Sequence, residues 1–224
     1  KKINTQNKII SQQVESLTKL LSQKENILHE MHHRVKNNLQ NVISILEMQK
    51  ESINFNNIEE LIRGNQNRIH SMALLHKKLD MSEIDGEISL PGYLKELSEL
   101  VMSSYQDASK TILLQYNCAV EKLSLNKALP VGLIIVELVS NSMKYAFKGK
   151  KSGVISIEIL PDSRPNTINL VYLDNGVGFD FDAVNGKGLG MEIIKGLIEQ
   201  LDATYKSLNR NGFNLSIVFK ENKA

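Results

Sequence analysis

The sequence predicts an α plus α/β protein: an antiparallel helical hairpin, fronted by a coiled-coil helix, followed by an α/β sandwich. Three observations carry that expectation. Apolar residues recur at steps of four and three from Ile10 to Leu79. From Ile88 onward, β-branched runs alternate with helical stretches and Gly-containing turns. Between the two regimes lies a polar segment, Asp80 to Glu87, that contains Gly86.

Lys1 to about Ser52 reads as one helix, with no Pro or Gly in it. Ile10, Val14, Leu17, Leu21, Lys24, Leu28, Met31, Val35, Asn38, Val42 and Ile45 form a heptad seam with Lys24 and Asn38 as its polar members. From Leu39 the stripe widens, because Leu39, Leu46 and Ile53 join it, and a wider stripe suits a four-helix bundle. After the break at Asn54 to Asn57, a second helix carries Ile58, Ile62, Asn65, Ile69, Met72, His76 and Leu79 at the same steps. A hairpin alone cannot bury both faces, so pairing of two hairpins in a homodimer is expected. The expected divisions are a coiled-coil helix over 1–23, the hairpin over 24–86 and the α/β domain over 87–224.

In the second region, Ile88 to Leu90 predicts a short strand and Pro91 to about Tyr105 a helix with Pro in its first turn. Thr111 to Cys118 and Leu123 to Leu125 read as strands, and Asn126 opens a helix apolar enough to be largely buried. Strands at Gly153 to Leu160 and Thr167 to Leu173 follow, then a Gly-rich segment from Asn175 to Gly190 and a helix to Leu201. Tyr205 to Leu208 and Phe213 to Phe219 close the chain as a hairpin around Asn211-Gly212.

Composition excludes several classes. The 224 residues are 42% hydrophobic and 23% charged with net charge +2, an ordinary globular balance without the basic stripe that nucleic acid requires. No apolar run approaches the roughly 18 residues of a membrane-spanning helix, and no signal peptide is visible, so a cytoplasmic setting is expected. Cys118 is the one cysteine and sits in an apolar run, as a buried structural thiol would. The chain opens on Lys1-Lys2 in mid-heptad, the look of a fragment whose missing upstream part could include a sensor and could be membrane-bound.

Four places carry chemistry. With Val35 at an a position, His33 falls at f, pointing away from the seam on a rigid helix. His29-Glu30-Met31-His32-His33 also satisfies the H-E-x-x-H zinc-protease pattern, but a catalytic zinc needs a third ligand, and after His70 and His76 no ligand motif follows. On the buried helix, Glu137, Asn141 and Lys144 are spaced to share one face, where a metal-bound polyphosphate would supply their partners. Asp174, at a strand end before Gly176 and Gly178, can accept a hydrogen bond from an exocyclic amine such as that of adenine. Gly186-Lys187-Gly188-Leu189-Gly190 opens a helix and can offer N–H groups to phosphate.

His33-Arg34-Val35-Lys36-Asn37-Asn38 resembles the phosphoacceptor box of sensor histidine kinases of the HRxKN subfamily, the HWE or second-type dimerisation and phosphoacceptor domain. Glu137 to Ala146, Asp174 to Phe179 and Gly186 to Gly190 resemble, in order and spacing, the N, G1 and G2 boxes of GHKL ATPases, whose fold is the Bergerat-type sandwich. The resemblance spans about residues 24–222. It implies that His33 is phosphorylated from Mg·ATP and passes the phosphoryl group to an aspartate of a response regulator. Asn141 would then hold Mg²⁺, with Glu137 as a further candidate ligand. Lys144 and Tyr145 would border the nucleotide, and Asp174 would read adenine. Gly176, Gly178, Lys187, Gly188, Leu189 and Gly190 would form the lid.

The match departs from many histidine kinases in two ways. Arg34 replaces the acid that often follows the phosphoacceptor, which leaves Glu30 as the nearest candidate base, and no separate Phe-rich box stands between G1 and G2. Two other readings compete: a GHKL-type ATPase or Ser/Thr kinase whose helices only dimerise it, and a non-catalytic signalling scaffold.

Overall fold

The computed structural model describes residues 12–19, 21–22, 58–80, 87–181, 189–209 and 211–221. His33, Glu30 and the H-E-x-x-H pattern lie outside these residues, as do Val35, Val42 and Ile45 of the seam and Lys187 and Gly188 of the glycine segment. Contacts divide the chain into two units, 1–47 and 48–224. In the first, residues 12–19 and 21–22 are helical, and the seam residues Val14, Leu17 and Leu21 stand exposed.

The second unit begins with helix α1, Ile58–Asp80. Strand β1 (Glu87–Ser89) pairs antiparallel with β3 (Lys122–Ser124), bringing Ile88 opposite Leu123, both fully buried. Helix α2, Leu90–Ser104, starts with Pro91 in its first turn, where a missing N–H costs nothing. Helix α3, Leu125–Asn141, is buried on every side from Ala128 to Ser140, and Ser142–Ala146 continue it as one π-helical turn. Helix α4 spans Leu189–Gln200.

Strands β2 (Thr111–Cys118), β4 (Ser152–Pro161), β5 (Thr167–Asp174), β6 (Thr204–Asn209) and β7 (Phe213–Lys220) form a mixed sheet of order β2-β4-β5-β7-β6. Only the β2–β4 pair is parallel. In the three central strands side chains alternate: Ile155, Ile157 and Ile159 of β4, Leu170 and Tyr172 of β5, and Leu215, Ile217 and Phe219 of β7 are buried on one face. Each such side chain contributes about 1.5–3 kcal/mol when removed from water. That face packs under the helical layer, where α3 contacts α2 and α4, and it makes the domain a two-layer sandwich with α3 at its centre.

The second helix faces two ways. Ile58, Ile62 and Ile69 of the predicted seam are about half exposed, whereas Asn67, Arg68, Ser71, Met72, Leu74 and Leu75 are buried against the sandwich. The seam reading accounts for the first set. Of the second set, Met72 belongs to the predicted seam yet is buried within the chain, and the burial of the polar Asn67, Arg68 and Ser71 was not anticipated from the sequence. Helix α3 is crowded at Gly132, where a Cβ would collide with the hydroxyl and ring of fully buried Tyr93. The Tyr93 hydroxyl in turn lies 3.0 Å from Ser71 Oγ of α1.

Cys118 is half-buried at the end of β2, and its thiol donates to the Val120 carbonyl at 3.3 Å. Burial pushes the thiol above its ordinary pKa, which suits a structural cysteine.

Candidate functional site

The site gathers where α3 ends, β5 ends and α4 begins. Asp174 closes β5 with only 6% of its surface exposed. Its Oδ1 accepts the Gly176 N–H at 2.9 Å and, more weakly, the Phe213 N–H at 3.4 Å; its Oδ2 accepts the Ser142 hydroxyl at 2.6 Å. A carboxylate can accept about four hydrogen bonds, so Oδ2 retains capacity for a ligand donor. Behind it, the Tyr172 hydroxyl lies 2.7 Å from Ser142 Oγ and 3.1 Å from the Leu138 carbonyl. Burial, with the nearby Asp174 charge as a further contribution, holds the Tyr172 hydroxyl well above its ordinary pKa. The chain Tyr172–Ser142–Asp174 therefore fixes the carboxylate in place with a protonated phenol at its base.

The glycine turn after Asp174 is braced from three directions. Val177 donates to the Ala146 carbonyl at 2.9 Å, and a Cβ on Gly176 would run into that same residue. Gly178 has φ +69, a conformation that favours glycine. Lys150 Nζ donates to the Asn175 and Gly176 carbonyls at 2.6 and 3.0 Å, and Asn175 Oδ1 accepts the Val154 N–H at 2.8 Å. Past the turn, Phe179 stacks on Phe213 with ring centroids 4.2 Å apart, and Phe181 is buried. Both phenylalanines lie against Phe213 of β7 and tie the end of this turn to the sheet.

Glu137 and Asn141 do share a face, and that face meets the start of α4. A Cβ on Gly190 would lie 2.9 Å from Glu137 Oε2 and 3.5 Å from Asn141 Nδ2. Gly190, in the described first turn of α4, therefore borders both side chains. The Asn141 amide nitrogen is buried with no hydrogen-bond partner. Glu137, 5% exposed, receives a fork from Arg68: Nε to Oε1 at 2.6 Å and Nη2 to Oε2 at 3.0 Å.

Lys144 departs from this arrangement. The π-helical turn changes the angular step after Asn141, and Lys144 Nζ stands 5.4 Å from the centroid of the Tyr105 ring, which Arg63 also approaches at 5.2 Å. Tyr145 is half exposed. A cavity of about 490 Å³ lies beside the edge strand β2, lined by Met102, Tyr105, Leu114, Met143 and Phe147 among others; neither Asn141 nor Asp174 reaches it.

Sequence reasoning had missed Ser142, Tyr172, Lys150 and Arg68. Ser142 had a usable signal, since it follows Asn141 directly on a helix otherwise apolar. The other three acquire meaning only through partners distant in sequence.

Asp174, with acceptor capacity to spare, can take a hydrogen bond from an amine-bearing ring. The HisKA_2 histidine kinase profile matches residues 30–105. Over that segment the chain is similar to histidine kinases. The sensor histidine kinase PdtaS of Mycolicibacterium smegmatis is 28% identical over 189 residues, 83% of this chain and 37% of its own length. Blue-light-activated histidine kinase 2 of Erythrobacter litoralis is 25% identical over 182 residues, covering 79% of this chain and 51% of that protein.

Among solved structures, a blue-light-activated histidine kinase of Erythrobacter litoralis superposes with a TM-score of 0.68 at 21% identity, over 87% of this chain and 58% of that one. Its separate histidine kinase domain gives 0.62 at 20% identity, over 70% of this chain and 75% of that one. These likenesses bear out the expected fold class, a helical part followed by an α/β sandwich with a mixed sheet. The chain spans well under half the length of the mycobacterial relative and about half that of the blue-light kinase. Among the described residues, no helix is long and apolar enough to cross a membrane.

Proposed function

We propose that this chain is the catalytic core of a sensor histidine kinase, transferring the γ-phosphoryl group of Mg·ATP to His33 and from there to an aspartate of a response regulator. In this reading, residues 1–23 carry the signal, 24–86 form the dimerising phosphoacceptor hairpin and 87–224 bind ATP. One observation supports it most: a buried, braced carboxylate with spare acceptor capacity, Asp174, and a buried amide without a partner, Asn141, flank the same π-helical turn. Asp174 is suited to the adenine amine. The residues present fit a magnesium-bound triphosphate: Glu137 and Asn141 both approach Gly190, the unpartnered Asn141 Nδ2 is a donor suited to a phosphate oxygen, and its Oδ1 is the atom an ion would take. Asn141, with Glu137, would hold the ion, which neutralises phosphate charge when bound. Positioning and charge neutralisation make up most of what such a transfer requires from a protein.

Incubation with γ-labelled ATP and Mg²⁺, followed by acid and base treatment, tests the reaction class. Acid-labile, base-stable label supports phosphohistidine. Acid-stable label would favour the Ser/Thr kinase alternative, and absence of both label and ATP binding would favour the scaffold.

A further inference from the structure

The contacts of α1 with the sandwich differ between its two halves. Its C-terminal half is held by apolar burial: Met72, Leu74 and Leu75 are each under 9% exposed. Upstream of Ser71, the attachments are polar. Asn67 Nδ2 donates to Ser104 Oγ at 3.0 Å, Arg63 stands over the Tyr105 ring, and Arg68 forks onto Glu137. The Arg68 guanidinium is itself positioned, since Nη1 donates to Asn65 Oδ1 at 2.9 Å. The Arg68–Glu137 pair is the most buried of these attachments, with side chains 8% and 6% exposed.

Glu137 therefore has two claimants. Its carboxylate faces Asn141 and Gly190, the place assigned above to magnesium, yet Arg68 already occupies both of its oxygens. A guanidinium and a divalent cation on one buried carboxylate would sit as like charges at close range with little solvent to screen them. We propose that Arg68 is a latch between the phosphoacceptor hairpin and the nucleotide site: Mg·nucleotide competes with Arg68 for Glu137, and loading the site frees residues 58–70 of α1 while 72–75 stay packed as the hinge. This inference rests on the reading that Glu137 and Asn141 hold the magnesium of ATP. The exposed seam residues Ile58, Ile62 and Ile69 lie in the half that is freed, so the latch would couple nucleotide loading to the bundle face.

Hydrogen exchange on the whole chain tests it, using a non-hydrolysable ATP analogue with Mg²⁺ or with EDTA. Exchange over 58–70 should quicken with Mg²⁺ and analogue together, 71–80 should not change, and analogue in EDTA should leave both segments as they were. Calorimetry supplies a second readout. Arg68→Met leaves Glu137 unpaired, so it should raise the ratio of Mg²⁺-dependent to Mg²⁺-free affinity roughly tenfold, the scale of one charge-assisted hydrogen bond. In a Glu137→Gln background the same substitution should leave that ratio unchanged, because the coupling runs through the carboxylate. Unchanged or slowed exchange over 58–70 in a protein that binds Mg·analogue overturns the latch and leaves the kinase reading standing. So does a ratio that stays level or falls in Arg68→Met. Failure to bind the analogue at all overturns both.

Discussion

Asp174 is held by neighbours that leave part of it available. Two backbone N–H groups and the Ser142 hydroxyl fix its orientation, and the remaining lone pair on Oδ2 is where an adenine amine would donate. Asp174→Asn keeps the shape but removes the charge and one acceptor. Loss of a hydrogen bond to a charged group costs about 1.5–3 kcal/mol, so ATP affinity measured by calorimetry should fall at least about tenfold. Normal binding by this variant would place the pocket elsewhere. Asn141→Ala should act differently, abolishing Mg²⁺-dependent phosphotransfer more completely than it weakens nucleotide binding, as filter assays of both quantities would show. Asp174 and Asn141 were legible in the sequence because each stands out locally, one before glycines and the other amid apolar residues. Their supports were not. Ser142 meets Asp174 across 32 residues, and Arg68 meets Glu137 across 69, so no local spacing announces either pair.

At the scale of elements, local pattern carried far. Alternation predicted β4, β5 and β7 to within about a residue or two, and Pro91 marked the start of α2. Lys144 shows where such reasoning stops: three residues past Asn141 is one face of an α-helix, but a π-helical turn intervenes and sends the amine to Tyr105. Likewise the parallel pairing of β2 with β4 joins strands separated by β3 and α3, and nothing local specifies it. Packing between elements yields its own prediction. Gly132 of α3 gives room to the buried Tyr93 hydroxyl of α2, so Gly132→Ala should overpack the contact, at a typical cost of about 1–3 kcal/mol. The helix preference for Ala over Gly, about 1 kcal/mol, offsets part of this. The urea midpoint should therefore fall. In a Tyr93→Phe background, which removes the atom nearest the added methyl, the same change should cost less. Equal costs in both backgrounds would mean that the clash is relieved elsewhere.

At the scale of the whole molecule, the exposed seam of α1 predicts self-association. Ile58, Ile62 and Ile69 are each about half exposed, so covering each would gain roughly half of the 1.5–3 kcal/mol that complete burial of such a side chain brings. A homodimer through the hairpins would cover them, and light scattering at micromolar concentration should give about twice the chain mass of 25.2 kDa. Ile62→Glu should shift that mass toward the monomer while ATP binding persists, because Ile62 lies off the nucleotide site; a wild-type monomer would contradict the bundle. His33 lies outside the described residues, and one labelling experiment addresses its role directly. Wild-type protein and the His33→Gln, His29→Gln and His32→Gln variants are incubated with γ-labelled ATP and Mg²⁺, with ATP binding followed in parallel. The account predicts that His33→Gln alone abolishes the acid-labile label while still binding ATP, and that the other two variants keep at least part of it. Persistent labelling of His33→Gln would contradict it.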